Sequence, residues 1–188
     1  QLNSAIIGTP VLYAPPETGL INEIAFEDGV KVPTGGFLYT EHGLTDGNCG
    51  GEGVNCYSIV FDIRLPKLGD WYSLLNTSSH NTNDGDLWIS PEGSFGQWTY
   101  SSPVIDANEW VSLVYTVDLS VGLLCFYANG DLVHFLTSET YDWMDLDGRH
   151  ALGIMPDEYP FFTLFADNDG EDAEIGVRRV AFYDFPLK

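Results

Sequence analysis

The chain has 188 residues, 44% of them hydrophobic and 14% aromatic, and a formal net charge of −21 from 7 Lys and Arg against 28 Asp and Glu. This composition excludes a disordered chain, and no apolar run reaches the roughly 20 residues that a membrane-spanning helix needs, so membrane insertion is not expected. The acidity repels phosphate backbones and anionic lipid, so nucleic acid is not an expected partner.

Taken in chain order, residues 1–19 carry Pro15-Pro16 and read as a lead-in or edge segment of a single domain spanning 1–188. Strands are predicted over Leu20–Glu27 and Gly36–Thr40. Cys49 and Cys56 then flank the Gly-rich loop C-G-G-E-G-V-N-C. That loop is short and flexible enough to close as a disulfide, with a metal-binding pair as the rival reading. In Tyr57–Leu65 the residues Tyr57, Ile59, Phe61, Ile63 and Leu65 share one face, which belongs in a core. Further strands are predicted over Trp71–Asn76, Asp86–Ser90, Phe95–Tyr100, Trp110–Asp118, Leu123–Ala128 and Leu132–Leu136. The last three are His150–Ile154, Phe161–Ala166 and Glu174–Tyr183. Asn129-Gly130, between two apolar runs, fits a type I′ hairpin turn, in which both central residues take positive φ. About a dozen strands and no convincing helix make the chain all-β, a two-sheet antiparallel β-sandwich of jelly-roll type. Cys125, inside L-L-C-F-Y, reads as a small buried hydrophobe. Gln1 reads as a processed N-terminus, and Asn76-Thr77-Ser78 matches a glycosylation sequon.

Several runs carry a family resemblance. They are Y-S-I-V-F-D-I-R-L-P from Tyr57, W-Y-S-L-L-N-T from Trp71, and N-E-W-V-S-L-V-Y-T-V-D leading to F-Y-A-N-G. D-G-R at Asp147–Arg149, L-F-A-D-N-D-G-E at Leu164–Glu171 and V-R-R-V-A-F-Y-D at Val177–Asp184 complete the set. In this order they resemble the concanavalin A-like lectin/glucanase superfamily, in particular its laminin G-like branch. The resemblance implies two curved sheets, often a calcium ion at a rim loop, and carbohydrate or protein ligands. It implies no single activity.

Three acidic loops could supply oxygen ligands to calcium: 81–86, Asp145–Gly148 and 167–171. The first choice is Asp167, Asp169 and Glu171, followed by Asn83, Asp84 and Asp86. The competing reading of each loop is an Asx-turn, in which the side chain bonds its own backbone. Candidate ligand-binding residues are Trp88, Trp98, Tyr100, Tyr141, Trp143 and Arg149. Sugar C–H faces stack on aromatic rings, and alternation places Trp98 and Tyr100 on one strand face. Trp71 and Trp110 are assigned to the core. Arg149 sits beside Asp147, as a structural ion pair or as a group for an acidic sugar.

No catalytic residues are expected. Glucanases of the resembled superfamily carry E-x-D-x-E on one strand face, whereas E-D-A-E at Glu171–Glu174 has the wrong period. The expected function is a secreted or cell-surface, non-catalytic module that binds glycan, with calcium at a rim. Two alternatives stand beside it. One is a structural or adhesion subunit that binds extracellular protein or self-associates; the other is a glycan-active hydrolase or lyase.

Overall fold

The computed structural model describes residues 19–77, 85–141, 143–153, 161–166 and 171–188. Twelve strands run through them. They are β1 (Leu20–Val32), β2 (Leu38–Glu41), β3 (Cys56–Arg64), β4 (Tyr72–Asn76), β5 (Leu87–Ile89) and β6 (Phe95–Gln97), then β7 (Thr99–Tyr100), β8 (Trp110–Asp118), β9 (Leu123–Ala128), β10 (Asp131–Thr137), β11 (Phe161–Leu164) and β12 (Ile175–Tyr183). They form two six-stranded sheets, ordered β1-β12-β3-β8-β9-β10 and β2-β11-β4-β5-β6-β7. No helix occurs among the described residues.

The first sheet is built on β3, which pairs antiparallel with β12 on one side and β8 on the other. Tyr57, Ile59, Phe61, Ile63 and Leu65 all lie fully buried, as their alternation predicts. Phe61 faces Phe165 edge to face, and Phe95 packs on Phe126, joining the inner faces of the two sheets. The opposite face of β3 is buried as well. Val60, Val114, Ala181 and Tyr183 form a second cluster capped by Leu187. Ser58 Oγ donates to the Phe185 carbonyl at 2.9 Å and accepts from the Leu187 amide at 2.8 Å. The C-terminal residues therefore seal a face that alternation alone leaves open.

Asn129 and Gly130 have φ of 50° and 90°, and Ala128 stands opposite Asp131. This is the expected type I′ geometry, whose twist suits the β9–β10 hairpin. In β4 the pairing with β5 shifts between Ser73 and Leu75. Leu74 is the extra residue of a bulge, so Leu74 and Leu75 are both fully buried.

Two predicted strands change. Phe95–Tyr100 is not one strand but β6 and β7, because the chain reverses at Trp98, whose φ is 58°. Residues 150–153 make only an isolated bridge, Leu152 to Val54. Asp147 at φ 59° and Gly153 at φ 73° keep this segment from extending. Position 154 lies outside the described residues.

Candidate functional site

The β6–β7 hairpin is tight enough that a Cβ at Gly96 would lie 2.4 Å from the Thr99 carbonyl oxygen. Only glycine allows that approach. The reversal puts Trp98 at the tip, with its side chain 55% exposed. A tryptophan in the left-handed region is strained by roughly 1–3 kcal/mol. The Trp98 ring meets Trp143 at 4.5 Å and 87°, and Tyr141 meets Trp143 at 5.8 Å and 83°. The Arg149 guanidinium lies over Trp143, 5.1 Å from the ring centre. Thr99 Oγ1 and His134 Nε2 stand 3.0 Å apart beside this box, and the Tyr141 hydroxyl reaches Thr99 Oγ1 at 3.4 Å. The result is an open aromatic surface with a cation at one end and small polar groups along the side. Trp98, Tyr141, Trp143 and Arg149 come together here, from separate parts of the chain.

The segment that carries Trp143 and Arg149 is pinned from beneath. The Asp147 carboxylate accepts from the Glu52 and Gly53 amides at 2.8 Å and from Asn55 Nδ2 at 2.9 Å. These donors, Asn55 first, hold its pKa below the usual carboxylate range. A side chain on Gly51 would strike that carboxylate at 2.6 Å. The Cys49–Cys56 disulfide closes the loop that supplies the donors. Thr77 Oγ1 donates to the Arg149 carbonyl at 2.8 Å, and the Tyr57 hydroxyl donates to the His150 carbonyl at 2.6 Å. Asp147 thus acts on backbone amides, as an Asx-type clamp. Arg149 meets Trp143, where the sequence suggested an ion pair with Asp147.

Trp88 and Tyr100 belong to a different cluster. Trp71 packs on Trp88 at 6.4 Å and on Tyr100 at 5.6 Å. Trp98 and Tyr100 therefore do not share a face, a consequence of the reversal between β6 and β7. Trp71 is half-buried, not core, whereas Trp110 is core. Alternation in W-Y-S carried that signal, since Tyr72 points inward and Trp71 must point the other way. Trp71 walls a cleft of about 360 Å³, with Asp70, Glu171 and Asp172 around it. Burial, then the charges of Glu171 and Asp86, push the Tyr100 phenol up to about 12.

Of the six metal candidates, Asp86 and Glu171 are described; Asn83, Asp84, Asp167 and Asp169 lie outside the described residues. The charges of Asp86 and Glu171 both raise the Tyr100 phenol. Among the described residues, one set of three metal-ligating side chains lies close together: Cys49, Cys56 and Asp118. Its two sulfurs are joined as the disulfide, which settles the cysteine pair against a metal. Asn76 of the sequon is only 5% exposed, and Thr77 is engaged with Arg149 and Gly85, so the folded chain hides this site. In E-D-A-E, Asp172 binds the Gly35 amide and Glu174 pairs with Lys31.

The fold is that of an all-β, two-sheet, jelly-roll-like sandwich. Among solved structures the chain is similar to the Ruminococcus gnavus IT-sialidase CBM40 bound to α2,3-sialyllactose, with TM-score 0.61 and 13% identity over 90% of this chain and 95% of that one. It is also similar to the binding domain of Paraclostridial Mosquitocidal Protein 1, with TM-score 0.58 and 14% identity over 91% of this chain and 44% of that one. The receptor-binding domain of botulinum neurotoxin C/D mosaic serotype matches with TM-score 0.56 and 17% identity, over 87% and 41%. The chain spans less than half the length of either toxin domain. At these identities the likeness is one of fold, and these neighbours do not single out the laminin G-like branch. No family model and no curated protein matches the sequence.

Proposed function

We propose that this chain is a secreted, non-catalytic binding module whose box of Trp98, Tyr141, Trp143 and Arg149 takes a glycan. One observation carries the reading: Trp98 is held in a strained backbone conformation, more than half exposed, against a second indole. Strain of this kind persists where surrounding structure imposes it, and it clusters at binding sites. Indole faces suit sugar C–H surfaces, and Thr99, His134 and Arg149 offer polar partners for hydroxyl or carboxylate groups. The disulfide agrees with an oxidising compartment. The likeness in fold to a carbohydrate-binding module and to toxin binding domains lends the reading support.

A glycan array with the intact chain tests it, and Trp98→Gly is the decisive variant. Glycine relieves the positive φ, so stability is expected to stay within about 1 kcal/mol of the parent chain. Glycan affinity is expected to fall at least about tenfold. Retained affinity would remove the box from the reading, and sugar products released from a polysaccharide panel would overturn its non-catalytic part.

Calcium at the rim is part of the same proposal, with Asp167, Asp169 and Glu171 as first ligands and Asn83, Asp84 and Asp86 as the next candidates. The expected result is a higher melting temperature in calcium than in EDTA, lost in Asp169→Ala. Melting curves that coincide in calcium and EDTA would dismiss the ion.

A second reading, as an adhesion or structural subunit, draws on β10. It is an edge strand, and Leu132 and Phe135 on it are 53% and 56% exposed. Light scattering across a concentration series separates self-association from glycan binding.

A further inference from the structure

We propose that the cleft beside Trp71 is a second binding site, distinct from the Trp98 box, and that it takes an organic cation: an ammonium or guanidinium borne on an apolar body. At about 360 Å³ the cleft accommodates a small head group. Trp71 forms one wall, and Trp88 and Tyr100 pack against its ring, so the indole is oriented before any ligand arrives. Indole is the best of the aromatic faces for a cation.

Asp70, Glu171 and Asp172 surround the same space. Lys67 pairs with Asp70 at 2.6 Å, an exposed contact that offsets one charge. Asp172 accepts the Gly35 amide at 2.6 Å. That donor is neutral and offsets no charge. By formal count, three carboxylates line the cleft against one lysine. An anionic ligand meets repulsion here from the cleft and from a chain of net charge −21. A neutral sugar gains nothing from the field. A cation gains from both the ring and the carboxylates.

The test titrates the intact chain in EDTA with choline and with 3,3-dimethylbutan-1-ol, its uncharged isostere, following the tryptophan indole N–H signals by NMR. Choline is expected to shift the Trp71 and Trp88 signals, with the isostere at least roughly tenfold weaker. Glu171→Gln, a conservative change at an exposed position, is expected to weaken choline several-fold, as is added salt. Trp98→Ala is expected to leave choline binding unchanged. Equal binding of the two probes, indifference to Glu171→Gln, or no shift with either probe would each overturn the proposal. A glycan would instead move the Trp98 and Trp143 signals, so the two sites succeed or fail separately.

Discussion

Between pH 6.5 and pH 4 the folded chain is expected to lose several kcal/mol of stability through two histidines. Burial lowers both His42 and His150 from an ordinary value of 6.5 to about 4, and Arg149 adds to the effect at His150. In each case the native surroundings favour the neutral ring. The Leu44 amide donates to His42 Nδ1 at 3.0 Å. The Tyr115 hydroxyl lies 3.2 Å from His150 Nδ1, and burial keeps that phenol protonated. The unfolded chain takes up protons first as pH falls, so the two contributions are fully present above pH 6.5. They drain away toward pH 4 and level off below it. Each amounts to about 3 kcal/mol at most. Protonating carboxylates relieves self-repulsion in so acidic a chain and works in the opposite sense below about pH 5. The clean measurement is therefore a difference: urea unfolding of the parent chain and of His150→Gln at steps across the window. The variant should show the shallower slope, and parallel slopes would refute the assignment to His150.

The second large effect lies at the clamp. Asp147→Ala removes the acceptor for two backbone amides and for Asn55 Nδ2. Hydrogen bonds to a charged group contribute about 1.5–3 kcal/mol, and donors left without an acceptor add a penalty. A loss of roughly 3 kcal/mol is expected from chemical denaturation. Asp147→Asn keeps one acceptor oxygen and tolerates the positive φ of 59°, so it should recover part of that loss. Glycan affinity should follow the same order, because the clamp fixes the segment that carries Trp143 and Arg149. Unaltered stability in Asp147→Ala would show that the segment is held by Thr77, Tyr57 and the Val54–Leu152 bridge alone.

Much of the architecture was written in local pattern. Alternation from Tyr57 to Leu65 identified the side of β3 that faces the main core, and Asn129-Gly130 identified the β9–β10 hairpin, because both depend on residues adjacent in sequence. The clamp was not legible in this way. Asp147 finds its donors at Glu52, Gly53 and Asn55, and no periodicity announces a carboxylate facing amides so remote in the chain. The same holds for His150, which reads as a strand residue until Tyr57 and Tyr115 are seen to hold it. The aromatic candidates were found as residue types but grouped wrongly. A positive φ at Trp98 reverses the strand and separates Trp98 from Tyr100, and tryptophan gives no local warning of that conformation. Trp71 is the opposite case, where the pattern W-Y-S held the answer and the neighbouring apolar run obscured it.

The five tryptophans are distributed in a way that makes the molecule its own optical instrument. One indole pair belongs to the box, and in another Trp71 walls the cleft while Trp88 packs against it. The fifth, Trp110, is sealed below the Arg178 guanidinium at 4.3 Å. Acrylamide quenching should therefore resolve accessible emitters from a silent internal standard. Occupancy of either surface becomes readable from native emission, with no label attached.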